Sequence, residues 1–270
     1  MLKGITLGQY LAGESPVHRL DPRTKILTVL IYMVAIFSAR GWPSYLMLGL
    51  FAALAFAAAR ISPRYMLRAL KPVIFILVFT VLINMFVTRG EVLYRIWRLT
   101  ITREGLVMAA TMGFRLSMLV ITASLLTLTT PPIALTDGLE YLLGPGKRIG
   151  VPAHELALML TIALRFIPTL IDEADKIMKA QMARGADFTS GGLVQRARAL
   201  LPLLVPLFVS AFRRADDLAT AMEARCYHGG EGRTRLRGLR LGTLDYVAGT
   251  VVLALVAAVF YLRFTGGATA

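Results

Sequence analysis

The chain has 270 residues, 56% of them hydrophobic, and a mean hydropathy of +0.65. Its apolar residues gather in long runs with few charges, the mark of membrane helices rather than of a soluble domain. A formal net charge of +14 would suggest nucleic acid in a soluble protein. Here the basic residues crowd the ends of apolar runs, as orientation signals and anionic-lipid contacts do, and no nucleic-acid recognition motif is present. A single cysteine excludes an intramolecular disulfide framework and a cysteine-cluster metal site.

The first residues, MLKGITLGQYLAGESP, lack a continuous apolar core, so no cleaved signal peptide is expected. A polar arm leads to HRLDPRTK (His18 to Lys25), with Arg19, Arg23 and Lys25 ahead of the first apolar run, Ile26 to Ala39. That run is short for a span unless the helix starts near Pro22 and its basic side chains snorkel. Gly41-Trp42-Pro43 turns the chain into a second run, Tyr45 to Ala59. Arg60, Arg64, Arg68 and Lys71 form a basic loop with Pro63 and Pro72 as breakers, and Pro72 suits the first position of a third helix to about Thr88. A polar hairpin (Arg89 to Glu104) follows, closed by Gly105, before a fourth run from Leu106 to about Thr129.

Pro131-Pro132 ends that run and the character changes. From Asp137 to Gly242 charges interrupt the apolar stripes every few residues. Leu156 to Leu164 and Leu200 to Val209 are strongly apolar but short, or broken by Pro202 and Pro206, so this region reads as helices lying against or beneath the bilayer. The basic segment RTRLRGLR then leads to a fifth run, Tyr246 to Leu262. The expected fold is an all-α membrane protein with about five transmembrane helices and a cytoplasmic helical domain holding two long, crossed amphipathic helices. Its parts are an arm and four-helix membrane domain (1–130), a cytoplasmic domain (131–242), the fifth span (243–263) and a tail (264–270). The basic loops put the N-terminus and the 137–242 region on the cytoplasmic side of a bacterial cell membrane and the C-terminus outside.

Two stretches in the 131–242 region repeat one design. In LRFIPTLIDEADKIMKAQMARG, Ile167, Leu170, Ile171, Ala174, Ile177 and Met178 share a helical face, opposite Asp172, Glu173, Asp175, Lys176 and Lys179. In RRADDLATAMEARCYHGG, Phe212, Ala215, Leu218, Ala219 and Met222 make the same stripe. Each closes on Ala-Arg and a small residue: Ala183-Arg184-Gly185 and Ala224-Arg225-Cys226. Gly185 and Gly229 are expected helix stops. Other candidates carry less. Gly144-Pro-Gly-Lys-Arg-Ile-Gly lacks the spacing of a phosphate loop and reads as a turn, and the three histidines lie in separate segments, so no metal site is expected. The hydroxyls of Thr122 to Thr130 are expected to bond back to helix carbonyls. Arg115 interrupts the fourth run, where it either faces protein, with Asn84 as one partner, or snorkels to an interface.

HRLDPRTK, LTTPPIALTDGLE, LRFIPTLIDEADKIMKAQMARGADF and LVPLFVSAFRRADDLATAMEARCY together resemble the CbiQ/EcfT family, the transmembrane coupling subunits of energy-coupling factor ABC transporters. The resemblance is closer to the shared vitamin type than to the dedicated cobalt or nickel type. It implies a scaffold, not an enzyme, that needs no cofactor and couples two EcfA-type ABC ATPase subunits to a membrane-embedded substrate-binding S component. It also implies that Arg184 and Arg225, with Ala183, Gly185, Ala224 and Cys226, dock into the ATPases; Cys226 departs from the glycine common at that place. Met159, Met178, Met182 and Met222 fit an adaptable S-component surface or, equally, core packing. A self-contained permease would need polar groups in broken mid-membrane helices, and only Asn84 and Arg115 qualify.

Overall fold

A computed structural model describes residues 10–96, 99–186, 188, 192–230 and 238–266. The described residues between 139 and 238 form one compact unit; those between 10 and 138, with 239–266, form another. In the second unit, the one-turn α1 (Pro16–Arg19) is capped by Ser15 and leads to α2 (Pro22–Ser38), where Asp21 caps and Pro22 occupies the first turn. Gly41, at φ +77, makes the tight turn into α3 (Trp42–Ala58).

The expected basic loop is half helix. Arg64 and Arg68 stand one turn apart on α4 (Pro63–Leu70), a basic amphipathic segment in which the Arg68 guanidinium lies 5.4 Å from the Tyr65 ring centre. Pro72 does not open the third long helix. It falls in the break before α5 (Ile74–Val87), where the chain bends by 64°, since proline can supply no N–H to continue α4. The expected hairpin is a two-stranded antiparallel ribbon, β1 (Val92–Ile96) and β2 (Leu99–Thr102). The Thr102 hydroxyl accepts from Gly105 N–H to cap α6 (Arg103–Thr129) and donates to the Thr88 carbonyl. Gly105 is glycine because a Cβ there would come within 2.8 Å of the Met85 carbonyl.

α2 and α3 share a core with α10 (Thr243–Gly266). Tyr32, Ile36, Leu48 and Val259 are fully buried, and Ala35, Ala39 and Ala52 let the helices approach closely. Buried ionic groups fasten the helix ends. Lys25 is spent on three acceptors: the carbonyls of Thr129 (3.0 Å) and His18 (3.2 Å) and the Thr130 hydroxyl (3.1 Å). Because Thr129 ends α6, the ammonium sits where that helix's dipole is negative. Asp245 accepts from the Asp21 and Gly242 amides, both at 2.8 Å, so one carboxylate joins the starts of α2 and α10. HRLDPRTK is therefore a clamp and not only an orientation signal.

Arg115, near the middle of α6, faces protein. It donates to the Ala39 carbonyl at the C-cap of α2 (3.1 Å) and to the Tyr45 hydroxyl (2.8 Å). Asn84 is not its partner, because its amide donates back to Thr80 one turn earlier. Thr122, Thr127 and Thr129 bond back to helix carbonyls as expected. None of α5 is buried, and Phe75 stacks on Phe79 at its outer face, as suits contact with lipid tails.

In the other unit, beyond α7 (Pro132–Leu143), Gly144–Ile149 winds as a 3-10 turn. Two long helices follow, α8 (Ala153–Ala183) and α9 (Leu193–Ala224). Pro202 and Pro206 do not break α9. Spaced four apart, they put their missing donors on one face, so the ladder continues around the rest of the helix. Among the described residues α6, α8 and α10 are long and apolar enough to cross a bilayer, with α4–α5 a fourth if the bent pair counts as one span. This departs from the five expected spans in two ways. α2 and α3, at 17 residues each, are shorter than that measure. α8 passes it, because Leu156–Leu164 is the first part of a 31-residue helix rather than a short run.

Candidate functional site

α8 and α9 run antiparallel. The Gln181 amide donates to the Pro202 carbonyl (3.4 Å), Arg214 pairs with Glu173 (2.6 Å), and Leu158 and Ile162 share a cleft with Leu218 and Met222. The first of these contacts has a cause in the sequence. Pro206 has no N–H for the carbonyl of Pro202 four residues back, so that carbonyl is free to accept from the neighbouring helix. Glu173, expected on the solvated face, turns to Arg214 instead. A hydrogen bond from Ser210, then the Arg214 charge, holds its carboxyl below the usual glutamate range.

The two arginine ends have the same backbone. Arg184 and Arg225 each occupy the C-cap, at φ −90, ψ 9 and φ −95, ψ 16. After Arg184, Gly185 N–H donates to Met182 and Ala186 N–H to Gln181; after Arg225, Cys226 N–H donates to Glu223 and Tyr227 N–H to Met222. Both are Schellman motifs, which place the next residue in the left-handed region. Gly185 is at φ +87 and Cys226 at φ +57. The small residue after each arginine is thus set by backbone handedness rather than by size alone. Gly185 stops α8 as expected; α9 stops at Cys226, not at Gly229.

Ala183, Arg184, Gly185, Ala224, Arg225 and Cys226 are all exposed. Arg184 and Arg225 are at opposite ends of the antiparallel pair. Arg225 shares the cleft with Ile162, and the helix from Ile162 to Arg184 measures about 33 Å at 1.5 Å per residue. Of the four methionines, Met159 and Met182 are exposed, while Met178 and Met222 are half-buried. The expected stripe on α8 is half-buried throughout. That on α9 is largely open at Phe212 (69% exposed), Ala215 and Ala219, and Phe208, one turn before the stripe, is 59% exposed. Among the described residues no group of three or more His, Cys, Asp or Glu is placed to hold a metal ion, and His154 pairs instead with Glu140 (3.0 Å).

The model of the CbiQ family, described as cobalt transport protein, matches residues 13–236. The chain belongs to the CbiQ/EcfT family. It is 58% identical to the energy-coupling factor transporter transmembrane protein EcfT of Thermosediminibacter oceani, covering 92% of this chain and 93% of that one. The EcfT proteins of Acidaminococcus fermentans (55%; 98% of each chain) and Bacillus subtilis (47%; 97% of this chain and all of that one) are similar over their whole length. This EcfT-family chain is a membrane-located transmembrane component of an energy-coupling factor transporter. Sequence reasoning missed the Arg214–Glu173 pair, the Gln181–Pro202 contact and the residues that surround Arg225 from α8. The proline spacing was the available signal for the second; the other two depend on which helix lies opposite.

Proposed function

We propose that this chain couples ATP hydrolysis by two ABC ATPase subunits to reorientation of a substrate-binding S component, in the manner of a shared vitamin-type EcfT. The observation that carries the reading is the pair of matched caps. Two arginines held in one backbone geometry, with exposed side chains and about a hairpin's length apart, suit two like sockets on two like subunits. When ATP draws the ATPases together, the two helix ends are drawn with them, and the α8–α9 pair transmits the motion. The exposed apolar face of α9 (Val205, Phe208, Phe212), with Met159, Met178, Met182 and Met222, is the surface offered to the S component; such a face is too apolar to lie free in water. The N-terminus and the α8–α9 pair lie on the cytoplasmic side and the C-terminus outside.

Truncating one partner of a buried charge pair typically costs about 2–5 kcal/mol. One lost plug of two weakens assembly, and the other holds the complex at high effective concentration. Arg184→Ala and Arg225→Ala are therefore each expected to reduce ATPase recovery on pull-down, and the double variant to lose far more, together with uptake. Arg198→Ala, an exposed basic residue outside both caps, is the control. A double variant that recovers ATPases like the parent overturns the reading. Topology has its own test, since Cys226 is exposed and the only thiol. A membrane-impermeant maleimide should label it only after cells are opened, and labelling of intact cells would invert the orientation.

A further inference from the structure

The two arginine ends share a backbone, but Arg225 has surroundings of its own. The chain from Cys226 to Gly230 turns back along α8 until Gly230 lies against the ring of His154, where a Cβ would come within 2.5 Å. Between this return strand and the two helices lies a cleft of about 530 Å³. Its rim carries Arg225 from α9, Arg165 and Thr161 from α8, and His228 from the return strand; its lining includes apolar side chains such as Ile162 and Met222.

The lining holds two guanidinium groups and no carboxylate. Neither the Arg165 nor the Arg225 side chain is hydrogen-bonded or ion-paired within the described residues. The Thr161 hydroxyl donates to the Ala157 carbonyl, while His228 Nδ1 is engaged by the Cys226 carbonyl at 2.9 Å. The cleft is thus a concave site with an excess of about two positive charges and an apolar floor. An arginine fork binds a carboxylate through two parallel hydrogen bonds, and an apolar floor accepts the methylene stem that carries it.

We infer that this cleft receives an acidic side chain of the ATPase subunit that docks at the α9 end, and that Arg165 is a second cationic contact beside Arg225. The inference rests on the docking reading above and extends it: the contact surface at the α9 end is built from both helices, so ATPase movement at this end acts on α8 as well as α9. Two guanidiniums call for an anion, and continuity with the Arg225 cap favours a protein carboxylate over the phosphate of an anionic lipid.

The test is binding of the purified ATPase pair to the full-length chain in lipid-free detergent, over a range of salt. Arg165→Gln is expected to weaken capture about tenfold or more and to flatten its salt dependence, with an unchanged melting temperature. Thr161→Glu, which places a carboxylate in the cleft to compete for the two guanidiniums while leaving both arginines in the sequence, is expected to weaken it likewise, and it serves if Arg165→Gln fails to fold. A photoreactive maleimide on Cys226 should cross-link to an ATPase peptide containing Asp or Glu, and Thr161→Glu should remove that cross-link while Arg184→Ala leaves it. If both cleft variants bind as the parent does while the Arg184/Arg225 double variant fails, the cleft assignment is wrong and docking stands. If the double variant also binds normally, the docking reading itself falls. A defect seen only in vesicles of anionic lipid would assign the cleft to a lipid headgroup and overturn the proposal.

Discussion

Four cations set at helix C-termini are used in opposite ways in the two units. In the bundle, Lys25 and Arg115 are turned inward, each onto the C-terminal carbonyl of a helix other than its own: Thr129 at the end of α6 for Lys25, Ala39 at the end of α2 for Arg115. In the α8–α9 pair, Arg184 and Arg225 stand at the C-caps of their own helices, with exposed side chains that bond to nothing among the described residues. The dipole favours a cation at a helix C-terminus in all four cases. What differs is whether the donors are consumed. A guanidinium that satisfies its neighbours is structural, and one held at a fixed cap with its fork unused is available to a partner.

The largest expected effect tests that contrast directly. Lys25→Met leaves three acceptors without a donor and should destabilise the isolated chain by about 3 kcal/mol; Arg115→Leu, which removes two charge-assisted bonds but leaves the Tyr45 hydroxyl donating to the Ala39 carbonyl, should cost about 1 kcal/mol. Arg184→Ala and Arg225→Ala should leave the melting temperature of the isolated chain near that of the parent. Equal destabilisation by all four substitutions would break the comparison.

A smaller effect sharpens the likeness between the two caps. Gly185 has open space around it, so Gly185→Ala measures backbone handedness alone and should cost about 1 kcal/mol, the left-handed penalty less glycine's greater unfolded-state entropy. Cys226→Ala keeps an L-residue at φ +57 and should change backbone energy little, whereas Cys226→Gly should gain about 1 kcal/mol. Thermal melts of the three variants check this, and equal costs for alanine at both places would mean that the caps are not equivalent.

The smallest effect concerns the brace between α8 and α9. The folded-state pKa of Glu173 is lowered, so its contribution is complete above the unfolded glutamate value and fades as pH falls through the folded one. The parent should therefore lose stability relative to Glu173→Gln only on acidification below about pH 4.3. A gap between the two proteins that is the same at pH 7 and pH 3 would show that the Arg214–Glu173 contact contributes nothing.

Much of this protein was legible in the chain. Runs such as Leu106–Thr129 and Tyr246–Leu262 declared helices because apolar length needs no knowledge of neighbours, and the repeated Ala-Arg ends declared the caps because Schellman chemistry is local. The polar hairpin at 89–104 and the hydroxyls that bond back along α6 were readable for the same reason. Where local rules competed, only the fold decided. Pro72 bends the chain, while Pro202 and Pro206 lie within a continuous α9, and the carbonyl that Pro206 leaves free is met by Gln181 of another helix. Arg115 was ambiguous in the sequence because its partner is a backbone carbonyl 76 residues away, and a carbonyl carries no sequence signature. Arg165 likewise gains meaning only from an antiparallel neighbour. A sequence specifies caps and periodicity through residues within a turn or two, whereas which distant acceptor a long cationic side chain reaches is set by how the helices pack.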